Sequence, residues 1–147
     1  MSPWLHTRTS ISLSLAMQAM QAALSEAESL QVKVSVAVLD AAGDLLHMAH
    51  MDGAPGLSRE IARRKAATAV AFGISTSAWE ERLQRCSPAV QQGLPLQEGL
   101  ALFGGGEPFL IFGAVAGGIG VSGASEQLDA RCAQAAVSCV EELLASE

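Results

Sequence analysis

The chain has 147 residues, of which 50% are hydrophobic and 16% are charged, so it is too apolar to remain disordered and long enough to bury a core. Its net charge of −6 excludes nucleic acid as the main partner, because binding to phosphates requires a surplus of lysine and arginine. These totals predict a single domain over residues 1–147.

The beginning of the chain predicts a helix, a β-hairpin and a second helix. Apolar residues recur every three or four positions between Ser10 and Leu30, which is the helical period. The segment "VKVSVAVLD" then alternates valine with other residues, as a half-buried strand does, and a second strand follows over Leu45–Met51. We expect Ser58 to cap the second helix and Gly73 to end it.

The later part of the chain predicts short helices, more strands and a final helix. Capping patterns at Ser77–Glu80 and at Ser87-Pro88 open the short helices, and Ser125 caps the last one. We predict three further strands: Ala101–Phe103, Pro108–Phe112 and Val115–Val121. With the first two they form a central antiparallel sheet of five strands flanked by helices, an α/β fold of the α+β type.

Targeting signals and cysteine motifs are missing from the sequence pattern. The first residues contain no continuous apolar segment, and glycines interrupt the most apolar later stretch, around Phe109 to Val121. The three cysteines lack C-x-x-C spacing, which argues against a disulfide framework or a zinc site. We therefore expect a cytoplasmic protein without a membrane partner.

The predicted second strand carries residue types that bind metals and haem. In "LLHMAHMDGAP", His47 and His50 are three positions apart, so a regular strand points them to opposite faces. They cannot both bind one metal, and at most one, with His47 as the candidate, is an axial ligand completed from elsewhere. The alternative is that both histidines lie on strand faces and the methionines belong to the core.

A cationic cluster follows in the second helix. Arg59, Arg63, Arg64 and Lys65 lie within seven positions, and together they can hold a carboxylate of a haem propionate or of a small organic acid. The alternative is a solvated face on which Glu60 and Arg64 form a pair four residues apart.

Two glycine-containing segments suit a ligand. In "FGGGEP", Gly105 and Gly106 let backbone N–H groups approach a ligand, and Glu107 adds a carboxylate. Ser122 and Gly123 lead into the N-terminus of the last helix, which favours an anion, although Glu126 and Asp129 can satisfy that helix end instead. Asp52 ends the second strand, where it is either a general base or a turn cap. We expect Lys65 and this glycine loop to form opposite walls of one site.

Several of these segments together resemble the GlcG/HbpS-like haem-binding family, which includes the C-terminal domain of PduO-type corrinoid adenosyltransferases. The resemblance covers nearly the whole chain. It rests on four motifs in the family's order: Met51-Asp52-Gly53-Ala54, Lys65-Ala66-Ala67-Thr68-Ala69, Gly105-Gly106-Glu107-Pro108 and Gly120-Val121-Ser122-Gly123.

The resemblance implies a profilin-like sandwich, assembly into homo-oligomers and haem or another tetrapyrrole as the ligand. It also implies that Lys65 and Thr68 lie in a conserved motif of the family. Members that bind haem take an axial histidine from the first helix. That helix contains no histidine here, which leaves His6 or His47 for the role.

Three functions remain open at this point, and whether the protein is an enzyme is undecided. The first is a small-ligand-binding protein, with haem as the cofactor and otherwise none. The second is a cofactor-free isomerase, tautomerase or lyase acting on an organic acid; its acid–base groups would be Lys65, Asp52, Glu107 and Asp129, and its ligand-binding residues Arg64, Thr68, Gly105, Gly106, Ser122 and Gly123. The third is a non-catalytic subunit of a partner enzyme.

Overall fold

The computed structural model describes residues 2–147 and contains one antiparallel sheet flanked by helices. The elements, in chain order, are α1 (Leu13–Ser29), β1 (Ser35–Asp40), β2 (Leu45–His50), α2 (Ser58–Phe72), α3 (Trp79–Gln84), α4 (Pro88–Gly93), β3 (Gly106–Ile111), β4 (Ala114–Ser122) and α5 (Glu126–Ala145). Short 3₁₀ turns precede α3 at Thr76–Ala78 and follow α4 at Leu94–Leu96.

The sheet has four strands in the order β2-β1-β4-β3, so the prediction of five strands is wrong. The segment Ala101–Phe103 is a loop instead of a strand. Its first N–H group, on Ala101, donates to the Thr68 hydroxyl of α2 at 3.0 Å, and three glycines follow it directly. The Ala101 N–H group, which the apolar pattern assigned to a β-sheet, is therefore hydrogen-bonded to the Thr68 side chain of α2.

Both faces of strand β1 are buried. Val36 and Val38 belong to a large apolar cluster formed with α1 and α5, whereas Ala37 and Leu39 pack against α2 on the other face. The period-two pattern therefore located the strand correctly, but its small residues are also core residues, because a helix covers the second face.

Helix α2 lies unusually close to the sheet because glycines face it. A Cβ on Gly120 of β4 would overlap the carbonyl oxygen of Ala62, and one on Gly106 of β3 would overlap the carbonyl oxygen of Lys65. Gly118 faces the same helix, where a Cβ would lie 2.8 Å from the Val70 side chain. Because these three residues are glycines without side chains, the middle of α2 packs directly against the backbone of β3 and β4.

Local turn and cap signals explain most of the element boundaries. Phe112 and Gly113 have φ values of 51° and 79°, which is the type I′ geometry that joins β3 to β4 as a tight hairpin. The Ser87 and Ser125 hydroxyls accept the expected capping hydrogen bonds. Ser58 differs from its prediction, because it is the first residue of α2 and its hydroxyl donates back to the Pro55 carbonyl.

Over residues 2–147, the helices are all too short or too polar to cross a bilayer.

Replacement of Gly120 by alanine tests the close contact between α2 and the sheet. We expect Gly120→Ala to lower the free energy of unfolding by about 1–3 kcal/mol or more, because the added methyl group forces α2 away from β4. The control is Gly93→Ala in α4, where a Cβ meets no atom within 4 Å. That substitution is expected to be neutral or to stabilise by about 0.4–1 kcal/mol. Equal effects of the two substitutions in urea denaturation would contradict this packing.

Candidate functional site

Lys65 lies at the point where α2, β4 and α5 meet. Lys65 is 1% exposed. Its Nζ donates hydrogen bonds to the Val121 carbonyl at 2.9 Å and to Asp129 Oδ2 at 3.1 Å. The other carboxylate oxygen of Asp129 accepts the Ala124 N–H at 3.0 Å. An ammonium group in the middle of α2 is thus held by a strand carbonyl and by the first turn of α5.

The loop before β3 closes over the Lys65 ammonium. Nζ lies 5.0 Å from the centroid of the Phe103 ring, within the range of a cation–π contact. A Cβ on Gly105 would lie 2.7 Å from Nζ, and Gly105 has a φ of +129°, so this position requires glycine on two counts. The glycine loop and Lys65 are direct neighbours, as the sequence pattern predicted.

A cleft of about 400 Å³ opens beside this ion pair, within the size range of small-ligand sites. Its wall consists of Pro55, Leu57, Ser58, Ile61, Lys65, Phe103, Ser122, Gly123, Ala124, Glu126 and Asp129. One cation therefore faces two carboxylates, those of Glu126 and Asp129. The excess of negative charge disfavours the organic acid that the cationic cluster suggested, because an anion would meet a net repulsion there.

Burial decides the proton equilibrium of Lys65. Loss of water around Nζ lowers the pKa of the Lys65 ammonium below its usual value, and the nearby carboxylates of Asp129 and Glu126 oppose that shift.

Four of the predicted site residues line the cleft: Lys65, Asp129, Ser122 and Gly123. Gly105 lies against the Lys65 side chain, outside the cleft wall. Gly106 is adjacent, packed against the backbone of Lys65. Asp52 is different, since it lies exposed in the turn after β2 and outside the cleft wall.

Glu107 also lies apart from Lys65, on the other face of β3. It pairs with Ile119 of the α1–α5 core, whereas its neighbour Gly106 pairs with Gly120 on the α2 side. Its carboxylate accepts the Ser75 hydroxyl at 3.0 Å. Burial raises the pKa of the Glu107 carboxyl, and hydrogen bonds from Ser75 and Gln134 partly offset that rise.

Arg64 and Thr68 make structural contacts. The Arg64 guanidinium pairs with Glu60 at 3.0 Å on the helix surface, which is the solvated alternative considered for the cationic cluster. The buried Thr68 hydroxyl donates to the Arg64 carbonyl and accepts the Ala101 N–H, so it ties the loop before β3 to α2. Neither side chain reaches the cleft wall.

The two histidines of β2 lie on opposite faces of the sheet, as predicted. His47 pairs with Val38 on the α1 side, and His50 pairs with Ser35 on the α2 side. Both residues are half-buried. Within residues 2–147, His, Cys, Asp and Glu side chains do not form a cluster of three or more suited to a metal ion.

A hydrogen-bond chain fixes the proton on the His50 ring. The Ser58 hydroxyl lies 2.5 Å from the Pro55 carbonyl, which can only accept, so Ser58 donates its hydrogen there. The Ser35 hydroxyl, at 2.8 Å, must then donate to Ser58. His50 Nδ1, 2.6 Å from Ser35, is left as the donor of that contact. A neutral His50 ring therefore carries its lone pair on Nε2, which is free to bind a metal.

Sequence reasoning did not identify Ser35 or Ser58 as parts of this region. A serine inside a valine-rich strand was the available signal for Ser35. Its partners depend on the pairing of β1 with β2 and on the approach of α2, which the sequence pattern does not specify.

A four-stranded antiparallel sheet with α1 and α5 on one face, α2 on the other and a ligand-sized cleft at the end of β4 defines a small α+β domain. Residues 11–138 match the model of the HbpS-like family, described as haem degrading protein HbpS-like. The chain belongs to this family.

Two relatives agree with this assignment. An uncharacterized 15.0 kDa protein from the dhaT-dhaS intergenic region of Citrobacter freundii is 33% identical over 133 residues, which cover 90% of this chain and 94% of that protein. The corrinoid adenosyltransferase PduO of Salmonella typhimurium is 34% identical over 123 residues. That match covers 84% of this chain and 37% of PduO, so the chain corresponds to about a third of that enzyme.

Solved structures share the same fold over almost the whole chain. Klebsiella pneumoniae protein ORFY superposes with a TM-score of 0.87 at 28% identity, covering 96% of this chain and 97% of ORFY. A double mutant of Streptomyces reticuli HbpS gives 0.83 at 35% identity, with coverages of 94% and 92%. A complex of PduOC with haem gives 0.81 at 33% identity, with coverages of 89% and 95%.

The buried pair of Lys65 and Asp129 can be tested by a double-mutant cycle. We expect Asp129→Leu to lower the free energy of unfolding by about 3–5 kcal/mol, since it leaves a buried ammonium without its carboxylate. Adding Lys65→Met should recover much of that loss. The control is Glu81→Ala, which removes an exposed pair with Arg85 and should cost only about 0–1 kcal/mol. Additive effects of the two buried substitutions would show that the groups do not interact.

The Glu107 carboxyl should make stability depend on pH. Its raised pKa means that the folded chain holds this proton at pH values where the unfolded chain has lost it. The free energy of unfolding should therefore fall as pH rises from the ordinary range of a glutamate through the raised pKa. Glu107→Gln should remove this part of the fall while keeping a polar group beside Ser75. Thermal melts at pH 4 to 8 measure it, and an unchanged profile in the variant would refute the assignment.

Proposed function

We propose that this protein binds haem. The observation that carries the proposal is its likeness to the complex of PduOC with haem, with a TM-score of 0.81 at 33% identity over 89% of this chain. The family description, haem degrading protein HbpS-like, supports the same ligand. The match to PduO covers 37% of that enzyme, so its adenosyltransferase activity is not proposed for this chain.

The donor chemistry of β2 fits a haem iron, which accepts an imidazole nitrogen as an axial ligand. The His47 residue is half-buried, and its ring makes no hydrogen bond to another residue in the described range 2–147. His50 is better prepared than His47, because Ser35 holds Nδ1 and leaves Nε2 free. His50 on β2 would therefore hold the haem iron in preference to His47. Exposed Arg59 and Arg63 on the first turns of α2 would supply cations for the propionates.

The alternative of a cofactor-free enzyme acting on an organic acid has less support. It required Lys65, Asp52, Glu107 and Asp129 to act together, and only Lys65 and Asp129 border the same cleft. The negative charge of that cleft also disfavours an acid substrate.

Titration with hemin tests the proposed function. We expect a Soret band that saturates at a defined stoichiometry, because one imidazole binds one iron. His50→Ala should shift the band and weaken binding about tenfold or more, as the loss of an axial ligand or of its supporting bond does in metal sites. His47→Ala, on the same strand but the other face, is the matched control. Unsaturable binding that is indifferent to all three histidines, including His6→Ala, would refute the proposal.

Self-association forms part of the proposed function. Apolar side chains remain exposed around the tip of the β3–β4 hairpin and on the neighbouring helices: Leu13, Met17, Leu110, Phe112 and Leu143. Phe112 in particular points fully into solvent at the turn. Such exposure is typical of surfaces that another chain covers, so we propose that a second copy covers this one.

Light scattering tests the proposed oligomer. We expect a mass of at least two chains at micromolar concentration, and a shift toward one chain in Phe112→Asp, because the charge would be buried without a partner. Leu96→Asp, at an exposed position outside this group of residues, is the control. A species with the mass of one chain in the unmodified protein would contradict the proposal.

A further inference from the structure

The cleft beside Lys65 is not used by the proposed haem ligands. It contains a lysine amine next to a carboxylate, beneath an aromatic ring, with hydroxyl groups nearby. We propose that Lys65 forms a reversible imine with a small uncharged aldehyde or ketone that enters this cleft. The proposal goes beyond haem binding and does not depend on it.

Burial of Nζ shifts Lys65 toward the neutral amine that such a reaction needs, while its three nearest partners stabilise the ammonium. Nζ has Asp129 as its charged partner, the Val121 carbonyl as a second acceptor and the Phe103 ring above it. Burial disfavours the ammonium and so lowers the pKa of Lys65. This is the way in which proteins activate lysine as a nucleophile. Asp129 Oδ2, at 3.1 Å, is close enough to take the proton directly.

The chemistry balances without a further reactant. Asp129 removes one proton from the Lys65 ammonium, and the nitrogen lone pair attacks the carbonyl carbon. A second proton then passes from the nitrogen to the former carbonyl oxygen, which gives a neutral carbinolamine with a hydroxyl group. Asp129 returns a proton to the hydroxyl group, which leaves as water while the C=N bond forms. The product is a protonated imine paired with the Asp129 carboxylate, so the charge of the buried pair is unchanged. Water reverses the sequence and releases the carbonyl compound.

The wall of the cleft selects for an uncharged and small compound. Its volume of about 400 Å³ suits a molecule of a few carbon atoms with room for water. Glu126 and Asp129 outnumber the one cation, which disfavours a carboxylate on the ligand. The Ser122 hydroxyl makes no side-chain hydrogen bond to any residue from 2 to 147, so it can donate to the carbonyl oxygen.

Phe103 controls access to the amine. Lys65 is 1% exposed, whereas Phe103, which lies over it, is 44% exposed in a bend of the loop before β3. A ligand therefore reaches Nζ when this ring turns outward. Removal of the ring should speed the reaction without touching the amine or the carboxylate.

The chain offers an internal control for the test, because it contains two lysines and Lys33 is exposed. The folded protein is treated briefly with butanal and sodium cyanoborohydride at neutral pH, and the alkylated lysines are located by peptide mass mapping. We expect Lys65 to be labelled severalfold faster than Lys33 in spite of its burial. In urea the two lysines should react at similar rates, since the fold creates the difference.

Matched variants and ligands complete the design. Phe103→Ala should accelerate labelling at Lys65, and Leu96→Ala, in the same connection but outside the cleft, should not. Succinic semialdehyde, which adds a carboxylate to the same four-carbon chain, should label Lys65 more slowly than butanal. Labelling confined to Lys33 and the N-terminus of the folded protein would overturn the proposal. Faster labelling by the anionic aldehyde would overturn the proposed class of ligand.

Lys65→Arg, if it folds, should abolish the fast labelling.

Discussion

The buried ammonium of Lys65 is the constraint on which the rest of the molecule depends. An ammonium without water must be paired, and it finds its partners on β4 and on α5, more than fifty residues further along the chain. A buried ion pair adds little net stability, because desolvation of both ions offsets their attraction. Its effect is instead geometric. Nζ contacts both the Val121 carbonyl and Asp129, so the pair ties α2 to β4 and to α5.

The close packing of α2 on the sheet explains why Gly106 and Gly120 are glycines. Nζ reaches β4 because the backbone of α2 sits almost on the strands, and it can sit there because Gly106 and Gly120 have no side chains. The same glycines in an exposed strand would only weaken the sheet. Here the contact between the backbone of α2 and a glycine-lined sheet lets Lys65 reach β4 and α5.

Helix caps and turn residues predicted most of the fold, whereas the positions of the site residues depend on the pairing register of the strands. Caps at Ser87 and Ser125 and the hairpin at Phe112-Gly113 are decided within four residues, so the sequence identifies them. Lys65 and the glycine loop were correctly expected together because both follow from the order of motifs. Glu107 was misjudged because its face depends on which residue of β4 it pairs with, and a shift of one residue reverses that face. The predicted strand at Ala101–Phe103 was wrong for a related reason, since the Ala101 N–H group is hydrogen-bonded to the Thr68 hydroxyl of α2.

A chain of hydrogen bonds connects the Lys65 cleft with His50, the proposed haem ligand. Ser58 borders the cleft of Lys65, and through Ser35 it fixes the proton on His50. The direction of this chain depends on where Ser58 sends its single hydrogen. A ligand that accepts from Ser58 only replaces the Pro55 carbonyl and leaves the His50 proton on Nδ1. Only a ligand that displaced Ser35 from Ser58 would free the Ser35 hydroxyl to turn toward His50. A carbonyl compound is an acceptor, so its entry into the cleft preserves the ring state in which His50 Nε2 binds a metal.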